Sequence, residues 1–96
     1  MLYMQFVIRS FRNRALRRFA EKGDASKLPV KQADKVRRLL AFLDAAKHAR
    51  DLDKPGLFFH FLHSQGRYSV RVTGNYRLTW RFEEPDAFDV DLEDYH

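Results

Sequence analysis

The last third of the chain alternates apolar and polar residues with a period of two. From residue 76 to residue 82 the even positions are Tyr, Leu, Trp and Phe, and the odd positions are Arg or Thr. The same alternation continues from residue 88 to residue 93. This period is typical of β-strands that are buried on one face and open on the other. The pattern predicts strands at 67–73, 76–82 and 88–94, with a turn at Gly74-Asn75 and a loop at Glu83–Ala87.

Two further strands are predicted earlier in the chain. A short apolar run rich in strand-forming residues predicts a first strand at Tyr3–Ile8. A second apolar run, Leu57–His63, predicts a strand that ends in a turn at Ser64–Gly66. The polar segment Arg50–Gly56, which contains a Pro-Gly turn signal, is predicted to be the connector that leads into it.

Two helices are predicted between these strands. The first is expected to begin at Ser10, whose side chain can cap it, and to end near Lys22, because Gly23 suits a helix C-terminus. The second is expected from Pro29 to Lys47, since a proline in the first turn needs no N–H. Apolar residues recur along it at spacings of three and four, which predicts a stripe that packs on a sheet.

The order of these elements predicts an α+β fold. An N-terminal strand is followed by a two-helix hairpin that packs on one face of a small antiparallel β-sheet. A chain of 96 residues is too short for two hydrophobic cores, so we expect one domain, residues 1–96. No run approaches the roughly 20 apolar residues of a membrane helix. The absence of cysteine suits a reducing cytosol.

The net charge of +5 is distributed unevenly. Residues 1–56 carry fourteen Lys and Arg against six Asp and Glu, whereas residues 57–96 carry four Arg against seven acidic residues. A basic first half suggests a polyanionic partner such as RNA or DNA. The alternative is a basic surface that serves solubility alone.

The predicted register places arginines opposite each other on the open face of the sheet. A three-residue turn at Thr73–Asn75 keeps the apolar residues together, and it sets Arg71 opposite Arg77 and Arg67 opposite Arg81. Like charges in this position destabilise a sheet by up to about 1 kcal/mol. A phosphate between the guanidinium groups would remove that penalty. The sequence therefore predicts a phosphate-binding site that includes Arg67, Arg71 and Arg77.

Ordinary surface ion pairs are the alternative explanation for these arginines. A five-residue loop at Glu83–Ala87 sets Arg81 opposite Asp89 and Arg77 opposite Glu93. The ion-pair explanation suits Arg81 well. It is weaker for Arg71 and Arg77, because Glu93 can pair fully with only one of them.

Two histidines lie near the predicted site. His60 and His63 are three residues apart on a strand, so they point to opposite faces, which argues against a shared metal ion. With a three-residue turn at Ser64–Gly66, His63 shares the open face with Arg67, and His60 lies on the core side. A bulge or a longer loop exchanges the two histidines. Phe59 and Phe61 would share the open face with His63, which suggests base stacking or contact with a protein partner.

The side chains of the open face suit the cleavage of RNA without a metal ion or cofactor. The sequence contains no phosphate-binding loop, dinucleotide fingerprint, metalloprotease motif or serine hydrolase motif. Imidazole, phenol and guanidinium groups can deprotonate a 2′-hydroxyl, stabilise the charge on phosphorus and protonate the leaving oxygen. The terminal residue, His96, is either a frayed end or a part of this chemistry.

Two stretches of the sequence closely resemble HigB-type toxins of the RelE/ParE superfamily. They are IRSFRNRALRRFAEKGDASKLP, and YSVRVTGNYRLTWRF with DAFDVDLEDYH, so that the resemblance extends from Ile8 to His96. It implies a RelE-like fold and a cytoplasmic endoribonuclease that cuts mRNA on the ribosome. It also implies a HigA-like helix-turn-helix antitoxin as partner. ParE-like relatives inhibit DNA gyrase without cleaving RNA, which is the alternative function, and a basic binding domain without toxicity is a third.

The resemblance also implies roles for residues that match the family motifs. Arg77 matches an arginine that contacts phosphate, and His60 matches an active-site histidine of some members. His63 stands where the family has a catalytic lysine. The C-terminal trio of the family active site is matched by Asp94, Tyr95 and His96.

Overall fold

The predicted meander forms the sheet of this fold. In the computed structural model, which describes residues 7–95, each strand pairs antiparallel with the next in the order β1-β2-β3-β4. The strands are β1 (His60–Leu62), β2 (Arg67–Arg71), β3 (Tyr76–Glu83) and β4 (Asp86–Asp94).

One hydrophobic core joins the helices to one face of this sheet. The helices are α1 (Arg14–Lys22), α2 (Ala33–Ala45) and a short 3-10 helix (Ala49–Leu52). Their buried side chains belong to the same cluster as the even-numbered residues of β2 and β3, and examples are Leu16, Phe19, Leu39, Leu43, Val70, Leu78 and Trp80. The predicted α+β fold is therefore confirmed. No helix within residues 7–95 is long and apolar enough to span a membrane.

The first helix starts three residues later than predicted. Asn13, not Ser10, is its N-cap, because the Asn13 Oδ1 accepts a hydrogen bond from the Leu16 N–H at 2.9 Å. The Ser10 Oγ instead accepts from the Asp89 N–H at 2.8 Å. The predicted end is confirmed, since Gly23 has a φ of 72° and its N–H donates to the last turn.

The residues before α1 run parallel to β4. Ile8 forms a bridge to Ala87, and Phe11 forms a bridge to Val90. Backbone hydrogen bonds of 2.7 to 3.0 Å connect the two segments, so the free edge of β4 is covered along this length. The predicted strand at Tyr3–Ile8 lies largely outside the described residues.

The second helix is shorter than the predicted span from Pro29 to Lys47. It covers Ala33–Ala45, because Leu28 and Val30 pack against the core from a segment of turns that precedes the helix. The predicted connector at Arg50–Gly56 also differs. Its first residues complete the 3-10 helix, whose apolar members Ala49 and Leu52 are buried.

The hairpin between β2 and β3 has the predicted register. Tyr68 lies opposite Trp80, and Arg71 lies opposite Arg77. The turn is stabilised by the Thr73 Oγ1, which accepts hydrogen bonds from the two N–H groups of residues 75 and 76 at 3.1 and 3.0 Å. The parity of the apolar residues therefore fixed this pairing correctly.

The five-residue loop predicted between β3 and β4 is wrong. The strands are joined by a two-residue turn, Glu84-Pro85, and a bulge in β4 restores the predicted parity further along. In the strand pairing Trp80 lies opposite two β4 residues, one of which is Asp89 with a φ of 52°. Arg77 therefore lies opposite Glu93 as predicted, while Arg81 lies opposite Phe88 instead of Asp89.

The turn between β1 and β2 has four residues, His63–Gly66, rather than the three predicted. Leu62 lies opposite Arg67, Phe61 opposite Tyr68, and His60 opposite Ser69. One additional turn residue reverses the parity of β1 relative to β2. His60 and Phe61 consequently lie on the faces opposite to those predicted, and His63 lies in the turn instead of in the strand.

We expect Asn13→Ala to lower the free energy of unfolding by about 1 kcal/mol, because it removes the N-cap of α1. Asn13→Asp preserves the cap acceptor and should change the stability by only a few tenths of that amount. Urea unfolding monitored by circular dichroism measures both variants. Equal stability of the alanine and aspartate variants would contradict the assignment of the cap.

Candidate functional site

Four arginines lie on the sheet face opposite the helices. Arg67 and Arg71 belong to β2, and Arg77 and Arg81 belong to β3. They occupy odd positions, whereas the even positions of the same strands face the core. We call this surface the arginine face.

Arg71 and Arg77 form its centre. They lie directly opposite each other and are half-buried. The Nε atom of each is inaccessible to solvent and has no hydrogen-bond partner among residues 7–95. Two like charges with unused donors on adjacent strands create a strong local preference for an anion.

Arg67 supports this centre from below the surface. Only 3% of the residue is exposed, and its Nη2 donates to the Thr79 Oγ1 at 3.0 Å and to the Asp89 carbonyl oxygen at 2.5 Å. Its Nε lies 3.8 Å from a carboxylate oxygen of Glu93, which also accepts a hydrogen bond from Thr79. Burial lowers the pKa of Arg67 below its ordinary value, and repulsion from Arg12 adds to the effect.

The acidic residues of the sheet pair with Arg81 and Arg67. Arg81 forms ion pairs with Asp89 at 3.4 Å and with Glu83, so the predicted Arg81–Asp89 pair is confirmed. The Glu93 carboxylate turns towards Arg67, although its backbone lies opposite Arg77. The ion-pair explanation therefore accounts for Arg81 and Arg67 better than for Arg71 and Arg77.

Tyr95 is held over the central pair. Its N–H donates to the Asn75 carbonyl oxygen at 2.7 Å, which fixes the residue beside the β2–β3 turn. The centre of its ring lies 5.0 Å from the Arg77 guanidinium carbon and 5.9 Å from that of Arg71. Asp94 is exposed at the end of β4, and His96 lies outside the described residues.

Neither histidine lies where the three-residue turn would place it. His60 lies opposite Ser69 in the next strand, on the side of the arginine face, and its Nδ1 is 3.0 Å from the Phe58 carbonyl oxygen. His63 is exposed in the turn, where its ring and that of Phe61 are nearly perpendicular, with ring centres 4.9 Å apart. The longer loop is the alternative that the structure has, and the apolar pattern could not decide it, because residues 57–62 are apolar at both odd and even positions.

The predicted exposure of Phe59 and Phe61 on the open face is also wrong, since Phe59 packs against the core and Phe61 pairs with Tyr68. The ring of Phe61 packs against Tyr68 at 4.8 Å, on the side of the sheet that carries the core. An exposed phenylalanine beside the arginines is instead Phe58, which is 58% exposed and whose ring centre lies 4.0 Å from the Arg71 guanidinium carbon. The sequence gives no signal for it, because its position depends on a φ of 52° before β1 begins.

The arginine face is suited to a phosphodiester. Paired guanidinium groups can bind two phosphate oxygens, while a phenol and an imidazole supply groups that can transfer protons. Within residues 7–95 no three His, Cys, Asp or Glu side chains are grouped to hold a metal ion.

Comparison with known proteins agrees with this chemistry. Residues 9–96 match the family of RelE-like toxins of the type II toxin–antitoxin system HigB. Over 92 residues the chain is 32% identical to the endoribonuclease HigB of Proteus vulgaris, and the alignment covers 94% of this chain and 100% of that protein. The family match includes the whole arginine face and Tyr95.

We expect Glu93→Gln to lower the free energy of unfolding by about 1–3 kcal/mol, because it leaves the buried Arg67 charge without its carboxylate. Glu83→Gln is the matched control. It alters an arginine–glutamate pair on the same sheet in which 40% and 63% of the two side chains are exposed, against 4% and 24% for Arg67 and Glu93. The control should cost less than about 0.5 kcal/mol. Equal losses in thermal or urea unfolding would show that burial does not distinguish the pairs.

Proposed function

Because this chain belongs to the HigB-like toxin family of type II toxin–antitoxin systems, we propose that it is an endoribonuclease that cleaves mRNA on the ribosome and so inhibits translation. The opposed pair Arg71 and Arg77, covered by Tyr95, is the observation that carries this proposal. It combines a place for one phosphate with a group that can exchange a proton beside it. The Proteus vulgaris relative is an endoribonuclease, which supports the same reaction class.

The proposed reaction is an attack by the ribose 2′-oxygen on the adjacent phosphorus. A base removes the 2′-hydroxyl proton, the new bond between oxygen and phosphorus forms, and the bond to the 5′-oxygen breaks. An acid then protonates the departing 5′-oxygen. Negative charge increases on the non-bridging oxygens during this step, so cations fixed beside them lower the barrier.

Arg77 is the residue proposed to stabilise that charge, with Arg71 binding the same phosphate. The paired strands place the two arginines side by side before any substrate binds, so little reorganisation is needed when the charge develops. Arg67 has an indirect part in this scheme, since it engages the carboxylate of Glu93, whose backbone lies opposite Arg77. Phe61, which packs on the core side, is not included in the proposed RNA contact.

The proton-transfer groups are proposed from position and from family resemblance together. Tyr95 lies over the arginine pair, and His60 lies on the same side of the sheet. Asp94 and His96 complete the C-terminal trio that matches the family active site. His63 remains a proposed participant because it stands at the position of the family lysine, although it lies in the exposed β1–β2 turn.

The family implies an antitoxin partner and an RNA substrate. We propose further that the antitoxin is a HigA-like helix-turn-helix protein and that the toxin acts in the cytoplasm, where mRNA is translated. The ParE-like inhibition of DNA gyrase receives no support from the family match or from the relative, so it is kept only as an outcome of the tests below.

We expect Arg77→Ala to reduce RNA cleavage about 10²- to 10³-fold, because it removes one donor that stabilises the charge on phosphorus. Its free energy of unfolding should be unchanged or higher by up to about 1 kcal/mol, since a like-charge pair is relieved. Arg81→Ala is the control, because Arg81 lies on the same strand but is paired with Glu83 and Asp89. Cleavage in a translation extract should fall only a few-fold in the control. Full activity of Arg77→Ala would refute the proposed site.

Mapping of RNA 5′ ends after brief expression tests the role of the ribosome. Cuts confined to translated regions, in phase with the reading frame, are expected if the substrate is mRNA in the decoding site. Cuts without phase would leave an endoribonuclease that does not require the ribosome. DNA damage without RNA cleavage would favour the gyrase inhibitor and contradict the proposal.

A further inference from the structure

Phe58 extends the arginine face by an aromatic ring. It is one of two large hydrophobic side chains that are exposed within residues 7–95, the other being Phe42. Its ring centre lies 4.0 Å from the Arg71 guanidinium carbon, and 58% of the residue is accessible to solvent. One ring face is thus covered by a cation, and much of the remaining surface is open.

The backbone keeps this ring out of the core. Phe58 has a φ of 52°, a conformation that bulky residues rarely adopt and that costs conformational energy. Two polar contacts hold the backbone at this point. The Arg71 N–H donates to the Leu57 carbonyl oxygen at 2.7 Å, and the His60 Nδ1 lies 3.0 Å from the Phe58 carbonyl oxygen. The chain therefore maintains a strained conformation that presents an aromatic ring beside Arg71.

The neighbours of Phe58 alternate between aromatic and cationic groups. The ring of Phe58 lies over Arg71, and Tyr95 lies within 5.9 Å of Arg71 and 5.0 Å of Arg77. An apolar protein surface placed here would bury the adjacent charges of Arg71 and Arg77 without supplying an anion. A nucleotide matches both the aromatic ring and the cations, because its base offers a π-face and its phosphate accepts from the arginines.

We propose that Phe58 and Arg71 form a stacking platform for one nucleobase of the RNA, next to the phosphate bound between Arg71 and Arg77. This inference rests on the proposed endoribonuclease function and adds a binding residue to it. Stacking on an aromatic ring tolerates every base, because each has a π-face. Phe58 therefore contributes affinity and the position of the strand, and it leaves base selection and the chemical step to other groups.

The test uses a short single-stranded RNA with 2-aminopurine beside a 2′-O-methyl nucleotide, which cannot be cleaved. It is presented both free and on programmed ribosomes, and binding is followed by the quenching of fluorescence on stacking. Phe58→Ala should weaken binding about 5- to 150-fold and reduce the quenching, the range for loss of one base–aromatic stack. Phe58→Trp should restore both, whereas Phe58→Leu should not.

Salt dependence separates stacking from phosphate contact. Loss of Phe58 should leave the slope of log affinity against log salt unchanged, whereas Arg77→Ala should reduce its magnitude by about 0.7. Phe42→Ala is the matched control for an exposed aromatic ring, since Phe42 contacts Lys54 away from the arginine face. This control should bind RNA as the unaltered protein does.

The outcomes distinguish the stacking platform from the proposed function. If Arg77→Ala weakens binding and Phe58→Ala does not, the platform is overturned and the phosphate site stands. Full binding by Phe58→Leu also overturns it, because leucine has no π-face. If the unaltered protein gives no quenching in either presentation, the platform is overturned. If neither variant affects binding, the RNA site itself is refuted.

Discussion

The packing of apolar side chains under the β2–β3 hairpin forces two arginines together on its other face. Val70 and Leu78 lie opposite each other and are fully buried, so slipping the register by one residue would expose both. Arg71 and Arg77, the next pair along, must then lie side by side. The free energy of burial thus maintains a like-charge pair that electrostatics alone would separate.

The surroundings of this pair reduce its cost without removing its charge. Aromatic rings of Phe58 and Tyr95 lie over the guanidinium groups, and a ring attracts a cation through its quadrupole while leaving the hydrogen-bond donors unused. Carboxylates would have consumed those donors, but the nearby Glu93 is engaged by Arg67 and Thr79. The arrangement keeps the centre of the arginine face both stable and available to an anion.

The sequence predicted what depends on parity and missed what depends on single backbone angles. Alternation along the last strands correctly placed Arg71 opposite Arg77, because one buried face admits only one register. The β4 bulge could not be predicted, since it depends on Asp89 adopting a left-handed conformation. Ser10 and Asn13 are both good caps by residue type, and only the pairing of residues 8–12 with β4 decides between them.

The length of the β1–β2 turn, His63–Gly66, decides which side chains of β1 lie on the arginine face. With four residues, His60 faces the arginines and Phe61 faces the core. Deleting one residue would keep every amino acid of β1 and yet present the opposite set to the RNA side. Insertions and deletions in this turn are therefore a route by which relatives of this protein could exchange a proton-transfer group for an apolar one without any substitution in the strand.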